Sequence, residues 1–88
     1  MKYKIEVTTN FIKQYRKLDK NVQQMIYTWI KKHIYECLDP RSYGKPLEND
    51  LKGLWRYRIG DYRLIVQIID KRAVIIMIKI GYRKEVYK

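Results

Sequence analysis

Cysteine is almost absent from this chain. Cys37 is the only one in 88 residues, so no internal disulfide can form. It lies in a helical pattern beside Ile34 and Leu38 and reads as a buried, inert thiol rather than a nucleophile. Histidine also occurs once, as His33 on the apolar side of the same pattern, where it reads as a core or rim residue. One imidazole and no well-placed carboxylate leave a poor fit to a conventional acid–base pair. No apolar run is long enough to span a membrane. The opening MKYKIEVTTN carries no apolar signal-peptide core. There is no internal repeat, phosphate-binding glycine loop, nucleophile elbow or metal-ligand spacing, so neither a metal nor a small-molecule cofactor is expected. These absences point to a soluble cytoplasmic protein with no membrane partner and a single domain over residues 1–88.

Acidic residues are scarce too. Lys and Arg number 20 against 9 Asp and Glu, for a net charge of +11. Both halves of the chain are basic, so this is no basic tail on a neutral body. Such an excess suits a polyanionic partner: nucleic acid, an acidic protein, or both in turn. The alternative is a solvated surface that only confers solubility.

Lys2 to Val7 alternates and reads as a first strand. Thr8 or Thr9 can cap a helix that carries Phe11, Ile12, Tyr15 and Leu18 on one face. After a break at Asp19 to Asn21, Val22, Met25, Ile26, Trp29, Ile30, His33, Ile34 and Cys37 form a longer apolar stripe ending near Leu38. The short connection predicts an antiparallel helical hairpin. Asp39 to Asp50 holds both prolines and a glycine and reads as a loop. Three strand patterns follow, Leu54 to Ile59, Tyr62 to Ile69 and Ala73 to Ile80. The order β-α-α-β-β-β predicts an α+β fold: a small antiparallel sheet with the N-terminal helical hairpin packed on one face.

Within LWRYRIGDYRLIV, Gly60-Asp61 suits a two-residue II′ turn. That turn sets Ile59 against Tyr62 and Arg58 against Arg63. Trp55, Tyr57, Ile59, Tyr62, Leu64, Val66 and Ile68 then face the helices, while Arg56, Arg58 and Arg63 share the opposite face. Asp70 to Arg72, read as a three-residue loop, pairs Ile69 with Ala73. It sends Val74, Ile76, Ile78 and Ile80 to the core and sets Lys79 opposite Arg63. A two-residue loop would bury the Lys79 ammonium, which its desolvation opposes. Continued alternation beyond Gly81 would add Arg83, Glu85 and Tyr87 to the side of Lys79. Directly opposed arginines destabilise a strand pair. The arrangement makes sense if an anion, most simply a phosphodiester, occupies the concavity. The alternative is that the arginines splay over Ile65, Ile69 and Met77 with their heads in water.

The stretches KPLENDLKGLWRYRIGDYRLIVQIID and VIIMIKIGYRKEVYK resemble the RelE-type toxins of type II toxin–antitoxin modules, in the RelE/ParE superfamily. The resemblance spans the chain in element order and is most specific from Lys45 to Tyr87. It implies an endonuclease that cleaves mRNA in the ribosomal A site, with a short antitoxin as protein partner and mRNA and ribosome as targets. Arg63 then falls on the family's phosphate-binding arginine. Arg83 falls on the arginine that stabilises the transition state and leaving group. Tyr87 falls on the near-terminal tyrosine that stacks on or orients the substrate base. Arg58 joins them in the catalytic set, with Arg56, Lys79, Lys52 and Tyr82 in substrate binding. Tyr82 stands where many relatives have histidine, and Arg58 where a lysine has been argued to act as base. Arginine is effectively never deprotonated, so Arg58 is a poor base and Tyr87 or Tyr82 is the candidate. Two other readings remain open: a non-catalytic, ParE-like inhibitor of DNA gyrase, and a nucleic-acid-binding module acting with its antitoxin.

Overall fold

A computed structural model describes residues 1–87. Two helices pack on one face of a five-stranded sheet of order β1-β5-β4-β3-β2. The strands are β1 (Lys4–Val7), β2 (Lys45–Pro46), β3 (Trp55–Ile59), β4 (Tyr62–Ile69) and β5 (Val74–Tyr82). The helices are α1 (Thr9–Arg16) and α2 (Lys20–His33). The α+β architecture and the antiparallel β3-β4-β5 meander are as the sequence predicts. The sheet as a whole is mixed rather than antiparallel, because β1 runs parallel to β5. The helical hairpin follows β1 and carries the chain from that edge of the sheet to β2 at the other.

Thr8 caps α1, its hydroxyl accepting the Phe11 N–H at 3.0 Å. The helix also seals a sheet edge. Beyond Val7, no strand of the described residues flanks β5 on that side, and α1 with its N-cap supplies the partners. The Thr8 hydroxyl donates to Met77 O at 3.0 Å, Asn10 Nδ2 to Ile78 O at 2.9 Å, and Ile80 N to Gln14 Oε1 at 2.8 Å. Open strand edges are sites of unwanted pairing, and this one is covered within the chain. α2 stops at His33, short of the expected Leu38. Glu36 takes a left-handed backbone (φ +55), turning the chain so that Ile34 stays buried and Cys37 O accepts the Tyr3 N–H at 2.9 Å.

Phe11, Ile26, Ile34, Tyr57, Ile59, Leu64, Val66, Ile75, Met77 and Ile80 form the core. The alternation of β3 and β4 is as expected; that of β5 is corrected. Asp70–Arg72 forms a single 3-10 turn and Ala73 follows in the left-handed region (φ +51), so Ile69 pairs with Val74 instead of Ala73. That extra residue turns Ile75 and Met77, rather than Val74 and Ile76, toward the helices. Met77 therefore does not lie beneath the arginines. An irregularity between Ile65 and Val66 leaves Ile78 unpaired and restores the original phase, the action of a β-bulge. Ile80 returns to the core and Lys79 to the arginine face, but opposite Ile65; Gly81 is the residue opposite Arg63.

Candidate functional site

The β3–β4 hairpin builds the site. Gly60 holds φ +59 and Asp61 is not among the positive-φ residues, the sign pattern of a II′ turn. The two-residue turn fixes the register Ile59↔Tyr62 and Arg58↔Arg63. Arg63 is only 8% exposed, and its Nη1 donates to the carbonyls of Gly60 and Tyr62, both at 2.9 Å. The guanidinium thus braces the turn that positions it. Burial pushes its pKa below the ordinary arginine range; the positive charges of Arg58, Arg56 and Arg83 push the same way, and Tyr87 opposes them. Five side chains from β3, β4 and the C-terminal turn therefore share one electrostatic environment.

Arg56 sits one row away, between Lys45 of β2 and Ile65 of β4, with Lys79 beyond Ile65. Its Nε is buried and, among the described residues, meets no hydrogen-bond acceptor. A buried donor left this way costs about 1–3 kcal/mol, a deficit an incoming anion can relieve. Ile65 is fully buried although its direct neighbours in the sheet are Arg56 and Lys79. The stems of long cations can cover such a residue while their heads stay wet.

The C-terminal residues do not continue the strand. After Tyr82 the Arg83 N–H donates to Asp61 O at 2.8 Å, and Glu85 N and Val86 N donate to Tyr82 O at 2.9 and 3.0 Å. The chain folds back and buries Val86 against Gly81, beside Arg63. Arg83 Nη1 lies 3.8 Å from Asp61 Oδ1 with both side chains largely exposed, a loose surface pair that is easily exchanged for another anion. Tyr87 projects from this turn, nearly half exposed.

Of the residues singled out in the sequence, Arg56, Arg58, Arg63, Arg83 and Tyr87 come together, and Lys79 shares their face. Tyr82 does not join them. It pairs with Tyr62, the two rings in edge contact at 5.7 Å, and Tyr62 faces the helices. Lys52 precedes β3, at the opposite end of that strand from the hairpin turn, and is exposed. Lys45 was missed. It lies in a stretch read as loop, and a two-residue edge strand containing proline has no periodicity to detect. His33 lies in an aromatic cluster with its Nδ1 3.0 Å from Trp29 O, on α2 rather than in the arginine group. Among the described residues, no three His, Cys, Asp or Glu side chains gather where they could hold a metal. No helix of the described residues is long and apolar enough to cross a membrane.

Comparison with known proteins agrees with this architecture. Residues 5–87 match the family of ParE toxins of the type II toxin–antitoxin system, parDE. The mRNA interferase toxin RelE of Escherichia coli K12 is 32% identical over 99% of this chain and 92% of its own length. Toxin RelG of Mycobacterium tuberculosis is 32% identical over 57% of this chain, and the chain spans 58% of that protein. The M. tuberculosis RelBE2 toxin–antitoxin complex contains a chain of the same fold, with TM-score 0.84, 24% identity and coverage of 97% of this chain and 95% of that one. The chain belongs to the RelE/ParE family and is a toxin of a type II toxin–antitoxin module.

Proposed function

We propose that this toxin is an endoribonuclease that cleaves mRNA in the ribosomal A site without a metal ion. The observation that carries the reading is the opposed Arg58–Arg63 pair, with Arg56, Arg83 and Tyr87 converging on it. That much like charge in one place opposes folding and has a purpose only if an anion is brought there. RNA supplies its own nucleophile. The 2′-oxygen attacks the adjacent phosphorus, the bond to the 5′-oxygen breaks, and the products are a 2′,3′-cyclic phosphate and a 5′-hydroxyl. The protein must then orient the reacting atoms and stabilise charge. Arg63, braced by the turn, holds the scissile phosphate. Arg58 stabilises the phosphorane oxygens, Arg56 binds the substrate backbone beside it, and Arg83, released from Asp61, meets the charge developing on the leaving oxygen, which takes its proton from water. Tyr87 accepts the 2′-hydroxyl proton when it is present as the phenolate, or stacks on the substrate base as the phenol. Lys79 tracks the flanking backbone.

The same face must be silenced in the producing cell, so its protein partner is an antitoxin with an acidic or amphipathic segment that closes the concavity. The family also carries the ParE name, and a non-catalytic inhibitor is the competing reading. Incubating the toxin with translating ribosomes and mapping mRNA 5′ ends separates the two. New 5′ ends within open reading frames support cleavage. Arrested growth with intact mRNA assigns the toxin to the inhibitor class.

A further inference from the structure

On the side of Arg58 remote from Arg63, a cleft of about 240 Å³ opens at the edge of β3, lined by Trp29, Tyr43, Gly44, Lys45, Arg56 and Arg58. One wall is aromatic. Tyr43 meets Trp29 edge-on with centroids 6.1 Å apart and His33 at 4.8 Å, while His33 lies against Trp29 at 4.6 Å. The rim is cationic, with Lys45 and Arg56 side by side in register and Arg58 two residues on. The buried Arg56 Nε faces no acceptor among the described residues. Gly44 keeps the floor bare: its φ is +82, and a Cβ there would lie 2.1 Å from Arg56 O.

Aromatic rings flanked by cations hold single-stranded nucleic acid, the rings taking base faces and the cations the backbone. At this volume the cleft is below the 300–1,000 Å³ usual for a whole small ligand and suits one base. An acidic peptide would use the cations and leave the rings idle. We propose that the cleft receives the base of the nucleotide adjoining the scissile phosphate on the Arg58 side, with the neighbouring phosphate on Lys45 and Arg56. This rests on the RNA-cleavage reading and adds to it a subsite that can discriminate among bases.

The test measures binding of the whole chain to a short RNA blocked with 2′-O-methyl groups, by fluorescence anisotropy. Tyr43→Ala should weaken binding about 5- to 100-fold and Tyr43→Phe less than about twofold, because stacking needs the ring and not the hydroxyl. An abasic site at that nucleotide should cost the wild type a similar factor and cost Tyr43→Ala nothing more. Lys45→Ala should reduce the salt slope by about 0.7, one phosphate contact. Unchanged affinity in Tyr43→Ala, alongside weakened binding in Arg63→Ala, overturns the cleft assignment alone; unchanged affinity in both overturns the RNA reading as well. Loss of antitoxin capture with RNA affinity intact would give the cleft to the protein partner and overturn the proposal. If the wild type ignores free RNA, 5-iodouridine placed at that nucleotide of ribosome-bound, blocked mRNA should photocrosslink to Tyr43 or Trp29; a crosslink confined to other residues overturns the assignment.

Discussion

Replacing Arg58 by threonine should make this toxin more stable and less active. Arg58 is exposed, stands directly opposite Arg63 across the hairpin, and is the charge that most depresses the Arg63 pKa after burial. A like-charged cross-strand pair costs about 0.2–1 kcal/mol. Arg56, two residues along the same face, lies about 7 Å away at 3.4 Å per residue and adds about 0.6 kcal/mol even in the dielectric of bulk water. Threonine relieves both and favours the strand conformation. The expected gain is about 1 kcal/mol, or roughly 4–8 °C in Tm for a domain of this size. The assay is thermal unfolding followed by circular dichroism at about 0.01 M and about 1 M salt, where the screening length falls from roughly 30 Å to 3 Å. The wild type should gain stability with salt, and the difference between the two proteins should shrink. An Arg58→Thr protein that is less stable at low salt, or a difference indifferent to salt, would refute the claim that this face is held together against its own repulsion.

Arg83→Ala should lower the single-turnover cleavage rate by about 100-fold or more while leaving ribosome binding nearly intact, since its partner charge develops only during reaction. Tyr87→Phe should be nearly as damaging as Tyr87→Ala if Tyr87 moves the proton, and close to wild type if it only stacks; single-turnover rates of the two variants decide. Gly44→Ala should cost about 2–4 kcal/mol in chemical denaturation, because a left-handed backbone and a 2.1 Å approach to Arg56 O must both be relieved. Tyr57 is fully buried with its hydroxyl donating to Pro40 O, and burial raises its pKa well above the ordinary tyrosine value. The unfolded chain therefore loses this proton first as pH rises, and the contribution present below about pH 10 is lost above it. Tyr57→Phe should flatten that alkaline loss of stability in a pH series of melts.

The hairpin was legible because its signals are local. Two alternating runs around Gly60-Asp61 admit one short turn, and that turn dictates the Arg58–Arg63 pair. The register of β5 was not legible for a matching reason. Nothing in Asp70-Lys71-Arg72-Ala73 announces that alanine will take a left-handed backbone, nor does Ile-Ile-Met-Ile disclose which residue a bulge will skip. The burial cost of Lys79 gave the right face for the wrong register, because a shift and a bulge cancel in parity. The parallel β1–β5 pairing joins strands from opposite ends of the chain, a long-range fact. The C-terminal return depends on Val86 finding Gly81, and it brings Arg83 and Tyr87 beside Arg63 by a turn where alternation alone expected a strand. Lys45 and Tyr43 were hidden in a segment whose prolines and glycine signal only irregularity.

The central claim is that the arginine face cuts RNA. The most direct measurement maps mRNA ends after incubating translating ribosomes with the wild-type toxin and with Arg63→Ala, each first shown to be folded. The account predicts new 5′-hydroxyl ends within open reading frames, upstream fragments ending in 2′,3′-cyclic phosphate, and neither product with Arg63→Ala. Intact mRNA with wild-type toxin that still arrests growth, or equal cleavage by Arg63→Ala, would contradict it.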